Sequence, residues 1–149
     1  MANIDDKDGH ILRELQRDGR ISNLDLAERV ALSPSATLRR VSALRKAGII
    51  DGFGVRLNRA ALGIGFIAYV AVGLGEHTKA AQLNFEAAMH AAAAVVECHN
   101  ITGVVEYMLR VEVADLASYK RFHTDILGAL PQVSTITTYV VMSSPKDVR

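Results

Sequence analysis

At 149 residues, half of them apolar and 22% charged, the chain has room for one domain or two small ones with a sizeable core, which excludes a disordered polymer. The net charge of +1 excludes a protein that is basic all over, yet the charge is unevenly spread: 11 basic and 8 acidic side chains stand before residue 61, 6 and 8 after it. A single cysteine, Cys98, rules out an internal disulfide framework and fits the cytoplasm, while the most apolar stretch, around residues 62–74, is too short and glycine-rich to span a bilayer.

Asp5, with Asp8 three residues on, predicts a capped first helix through Arg17 whose buried face is Ile11, Leu12 and Leu15; Asp18-Gly19 ends it. Ser22 caps a short second helix through Val30, with Leu24, Leu26, Ala27 and Val30 as its apolar positions. Ser33 caps a third, with Pro34 at its first position and Gly48 at the left-handed exit. Leu38, Val41 and Leu44 recur at helical spacing as its anchoring face. Arg39, Arg40, Arg45 and Lys46 give the same stretch four cations and no acid.

Three short helices with a tight turn before the last match a helix-turn-helix, whose final helix enters the major groove of DNA. The first turns then face base edges, which nominates Ser33, Ser35, Ala36, Thr37 and Arg39. Arg40, Arg45 and Lys46 suit phosphates; for Arg40 the alternative is an ion pair with an acid of the first helix.

Beyond Gly48, apolar residues alternate with glycines through Leu57, the pattern of a strand or wing, and residues 58–65 read as a boundary. The expected organisation is a helix-turn-helix domain over 1–50, a wing strand and linker over 51–64, and a second domain over 65–149. Its expected elements are a strand at Phe66 to Leu74, a helix from Thr78 to Ala92 carrying Leu83, Phe85 and Met89, and strands at Val95 to Ile101 and Tyr107 to Val113. A helix from Asp115 to Leu130 carries Leu116, Tyr119, His123, Ile126, Leu127 and Leu130, and a strand from Ser134 to Met142 follows. That order, βαββαβ, is the ferredoxin-like one, so the fold class is α+β.

On the first strand Phe66, Ala68, Val70, Val72 and Leu74 point one way and Ile67, Tyr69, Ala71 and Gly73 the other, so both faces are apolar or small. With helices on one side only, the other is expected to meet a second copy, and a two-fold dimer would present two reading helices to two half-sites. No histidine, cysteine or acid spacing fits a metal, Cys98 reads as a small buried hydrophobe, and no catalytic constellation is present.

Leu26-Ala27, Leu32-Ser33-Pro34-Ser35, Arg40-Val41, Leu44 and Gly48-Ile49-Ile50 in the first half carry a resemblance to the Lrp/AsnC family of transcription regulators. In the second half Glu97-Cys98-His99, Thr102-Gly103, Tyr107-Met108-Leu109-Arg110-Val111 and Thr138-Tyr139-Val140-Val141-Met142 extend it. The resemblance implies a winged helix-turn-helix joined to a ferredoxin-like (RAM/ACT-like) domain, dimers that assemble further into octamers, no cofactor, and a small effector, usually an amino acid, bound between dimers. It assigns the effector to Thr102, Gly103, Val104, Val105, Glu106 and Tyr107, with Tyr139, Val140 and Val141. The family loop has the form Gly-Asp-aromatic-Asp-Tyr; here Val104 replaces the first acid and Glu106 keeps a carboxylate for an ammonium group. A DNA-organising protein without an effector and, remotely, an amino-acid-binding enzyme are the alternative functions.

Overall fold

The computed structural model describes residues 4–147, which form two compact units, one ending at Arg56 and the other beginning at Leu57. The first unit holds α1 (Asp6–Arg17), α2 (Asn23–Arg29) and α3 (Pro34–Lys46). Each start is capped as the sequence predicts. Asp5 and Asp8 close a reciprocal capping box, and the Ser22 and Ser33 hydroxyls accept from the amides of Asp25 and Ala36. The end of α3 is a Schellman turn: Gly48, at φ +70°, donates to Arg45 O, and Ile49 donates to Leu44 O.

Ile11, Leu26, Val30 and Leu44 form the core of this unit, ringed by Leu12, Leu15, Ile21, Leu32, Val41, Ile49 and Ile50. Two expected core residues are outside it. Leu24 and Leu38 are exposed, and on α3 the anchoring positions are Thr37, Val41 and Leu44 rather than Leu38, Val41 and Leu44. Both triplets fit helical spacing; Thr37 takes the inward position because its hydroxyl donates to Ser33 O at 3.1 Å, so its burial leaves no polar atom unpaired.

Residues 51–58 are neither helix nor strand, which corrects the expected wing strand. A strand needs a ladder partner, and among the described residues none of the four strands pairs with this segment. Residues 59–63 form a turn in which Asn58 Oδ1 accepts from the Ala61 amide.

The second unit contains β1 (Phe66–Leu74), α4 (Lys79–Ala91), β2 (Val95–Asn100), β3 (Tyr107–Val113), α5 (Leu116–Arg121), a π-helical continuation (Phe122–Leu127) and β4 (Val133–Val140). The antiparallel sheet has the order β2-β3-β1-β4, the ferredoxin-like arrangement. Ala68, Val70, Val72 and Leu74 of β1 and Tyr107, Leu109 and Val111 of β3 bury one face against Phe85, Met89, Tyr119, Phe122 and Leu127 of the helices.

The expected helix over 115–130 is α-helical only to Arg121. Its buried side chains are Tyr119, Phe122 and Leu127, and the five-residue step to Leu127 is absorbed by the wide π turn, in which Gly128 N donates to His123 O at 2.9 Å. Leu116, at the first position of α5, is exposed, His123 is only half-buried, and Leu83 of α4 also faces solvent, its place taken by Ala81. Cys98, expected to be buried, is exposed because β2 is an edge strand.

The helix-free face of the sheet is not apolar throughout. Arg110, buried on β3, donates to Tyr69 Oη at 2.9 Å and to Glu112 at 2.8 Å. Arg59 donates to the same Glu112, and Asp147 lies 3.6 Å from Arg110, so the turn before β1 and the C-terminal segment cover part of this face. The small and apolar residues of β1 on that side are therefore buried partly by the chain itself.

Candidate functional site

With Thr37, Val41 and Leu44 inward, the exposed side chains of α3 are Pro34, Ser35, Leu38, Arg39, Ser42, Ala43, Arg45 and Lys46. Ser35, Leu38, Arg39, Ser42 and Lys46 are three and four residues apart, so they make one stripe directed away from the core. It has the composition a major-groove surface needs: hydroxyls that donate or accept, an apolar side chain sized for a thymine methyl, and cations for guanine or phosphate.

The structure divides the residues nominated from sequence. Ser35, Arg39, Arg45 and Lys46 are exposed, Ser33 is exposed but holds the cap, and Ala36 is half-buried. Thr37 is completely buried, so it lies off the outward stripe. Leu38 and Ser42 join the surface; periodicity alone placed Leu38 inward, and only the packing of Thr37 turns it out.

Arg40 points to α1. One guanidinium nitrogen, Nη1, donates at 2.8 Å to Asp5 Oδ2 and at 2.8 Å to Asp8 Oδ1. The Asp8 amide, and then the Arg40 guanidinium, hold the Asp5 carboxyl below its ordinary range. A second tie joins α1 to α2: Glu14, nearly buried, accepts from Arg29 at 2.9 Å and from Arg17 at 3.2 Å, and the Arg29 bond leads the lowering of its carboxyl pKa. Lys7 Nζ reaches Val30 O at 2.7 Å, closing the C-terminal carbonyls of α2.

The nominated effector residues fall into two groups. Residues 101–106 form a loop closed by Ile101 N donating to Glu106 O at 2.8 Å, with Gly103 at φ +146° and Val104 fully exposed. Thr102 and Gly103 are exposed and Val105 is half-buried. Glu106 accepts from the Leu74 amide at 2.7 Å, and His77 Nδ1 lies 3.3 Å from its other oxygen. A Cβ on Gly73 would meet Thr135 Oγ1 and lie 3.6 Å from the Glu106 carboxylate, so glycine keeps this corner open.

Tyr107 is not part of that corner. It is completely buried beneath α4, its ring 4.6 Å from Phe85 and its hydroxyl donating to Glu86 at 2.7 Å; burial, and then Glu86, push its pKa up to about 12. Tyr139, Val140 and Val141 lie at the other end of the sheet, since Tyr139 pairs with Tyr69 and the Glu106 carboxylate binds the Leu74 amide. Five residues of β1 separate the two, roughly 17 Å at the rise of a strand. One copy of the chain cannot close both groups on one small ligand. Among the described residues, no cluster of three histidine, cysteine, aspartate or glutamate side chains is placed to hold a metal ion.

Residues 67–149 match the family model described as the Lrp/AsnC ligand binding domain, and residues 4–51 match the one for a winged helix-turn-helix DNA-binding domain. Leucine-responsive regulatory proteins align along nearly the whole chain. That of Haemophilus influenzae is 39% identical over 97% of this chain and 87% of its own, and that of Salmonella typhimurium 37% identical over 97% and 88%. A Neisseria meningitidis transcriptional regulator, solved as a complex with L-Met, superposes with a TM-score of 0.93 at 32% identity, covering 97% of this chain and 94% of its own. An AsnC family regulator from Agrobacterium tumefaciens superposes at 0.89 with 26% identity, over 96% and 93%.

Proposed function

Given that this chain belongs to the Lrp/AsnC family of DNA-binding transcriptional regulators, we propose that it is a cytoplasmic, sequence-selective regulator whose α3 reads DNA and whose second unit responds to a small amino acid. The observation that carries the DNA-reading half is the outward stripe of α3, Ser35, Leu38, Arg39, Ser42 and Lys46, on a helix anchored from behind by Thr37, Val41 and Leu44. Bases are assigned to Ser35, Leu38, Arg39 and Ser42, and phosphates to Arg45 and Lys46. DNA reading is assigned to residues 1–50, linkage to 51–64, and ligand binding and assembly to 65–149.

The amino-acid effector is supported by the ligand-binding domain and by the L-Met complex of the Neisseria regulator. Its site is assigned to the corner of Gly73, Glu106 and Thr135, with the Glu106 carboxylate receiving the ammonium group and the exposed 102–104 loop facing a neighbouring copy. The separation of this corner from Tyr139, Val140 and Val141 favours a site completed by a second protomer, in a homodimer that assembles to an octamer. Such an effector shifts operator affinity or assembly only if it binds the two states unequally.

Selection from a random duplex library followed by footprinting tests the first half: an enriched palindromic site with bounded protection is expected. Extended, weakly selective protection would instead indicate an architectural DNA-binding protein. Thermal-shift measurements with each common amino acid test the second, with light scattering for the mass; a ligand at a hundred times its Kd adds about 2.7 kcal/mol to the native state. If no amino acid raises the melting temperature, the effector assignment falls.

A further inference from the structure

The stripe on α3 reads DNA only if its rotation about the helix axis is fixed, because about 100° separates consecutive residues and a small roll exchanges one side chain for the next. The buried face gives limited resistance to roll, since Thr37 and Leu44 are its buried members and Val41 is only partly covered. Arg40 lies about 140° from the centre of the outward stripe by helical geometry, on the flank facing α1. There its Nη1 is held at 2.8 Å by each of two carboxylates, Asp5 and Asp8.

Those acids are themselves rigid. They form the capping box that starts α1: the Asp8 amide donates to Asp5 Oδ1 at 2.9 Å and the Asp5 amide to Asp8 Oδ2 at 3.3 Å. The box uses one oxygen of each carboxylate, and Arg40 takes the other of each. One residue from Asp8, Lys7 ties Val30 O, so the same turn of α1 holds both the end of α2 and the middle of α3.

Building on the assignment of α3 as the DNA-reading helix, we propose that Arg40 is a positioning residue of that surface, locked between Asp5 and Asp8 to set the rotation of α3, and not a phosphate contact. Two carboxylates neutralise its charge, so it adds little to the attraction for a polyanion. The acids of α1 are part of the reading machinery although they face away from the DNA.

The two roles predict opposite signs. Asparagine caps a helix as well as aspartate, so Asp5→Asn/Asp8→Asn keeps the α1 start while removing the charges that hold Arg40. If Arg40 positions α3, this variant and Arg40→Gln both lower the ratio of selected-site to competitor affinity by about tenfold, the scale of one lost base-pair contact. Arg40→Gln then leaves the dependence of log K on log salt unchanged, whereas Arg45→Gln reduces its slope by about one. If Arg40 touches phosphate, Asp5→Asn/Asp8→Asn tightens binding to every sequence and Arg40→Gln lowers the slope, and the proposal is overturned.

A melting cycle without DNA provides the second measurement. Arg40→Gln/Asp8→Asn is expected to melt no lower than Arg40→Gln alone, and additive losses would show that Asp8 does not hold Arg40. Absence of any selected site for the unmodified protein is failure of the DNA-reading assignment itself, and the melting cycle still decides the lock.

Discussion

Ala31 sits in the turn between α2 and α3 at φ +52°, a left-handed conformation that its Cβ resists. Glycine removes that resistance but loses more entropy on folding, so Ala31→Gly is expected to stabilise the first unit by about 0.5 kcal/mol, read as a small rise in melting temperature. Tyr107 shows burial acting on a titratable group. Its phenol is raised to about 12, so the unfolded chain sheds this proton first. Its contribution to stability is present below pH 10 and is lost as pH rises through about 12. Denaturant midpoints measured across that range should fall for the unmodified protein and fall less for Tyr107→Phe.

At the scale of the element, α3 is one helix with three tasks on three flanks: Thr37 and Leu44 pack, Arg40 locks, and Ser35, Leu38, Arg39 and Ser42 face outward. Leu38 is the diagnostic position. If it packs on a thymine methyl, Leu38→Ala lowers selected-site affinity by about 1 kcal/mol without unfolding the domain, and replacing the contacted thymine by uracil has the same effect on the unmodified protein and none on the variant. Competition binding with the two duplexes reads this directly. The π turn after α5 is the other element whose details depend on packing: Phe122 and Leu127 are both buried only because the helix widens between them.

For the whole molecule, the second unit presents a sheet with helices on one face and, on the other, Arg110, Glu112, Arg59 and Asp147. Arg110 and Glu112 are nearly inaccessible, so removing one charge leaves the other buried and under-compensated. Glu112→Gln is expected to cost about 3 kcal/mol in chemical denaturation of this unit. Because Arg59 leads into β1 and Asp147 lies near the C-terminus, the same change should raise proteolytic nicking at both segments.

The helix caps, the left-handed exit at Gly48, the helix-turn-helix and the βαββαβ order were legible in the sequence alone, because caps and alternation are local and each residue's preference acts within a turn or a ladder. The observed sheet order β2-β3-β1-β4 is the one that the ferredoxin-like βαββαβ succession implies. Tertiary structure alone decided the phase of α3, where Thr37 and Leu38 both fit an apolar spacing and only a donor to Ser33 O makes the threonine the better core residue. It likewise brought Arg40 to Asp5 and Asp8, partners that stand 35 and 32 residues away in the chain. The two groups nominated for the effector, 102–107 and 139–141, come from separate motifs, and the register of β1 with β4 puts Tyr139 opposite Tyr69 while Glu106 meets Leu74, at opposite ends of the sheet. The segment over 51–58 has the alternation of a strand without being one, since alternation describes faces and a strand requires a partner.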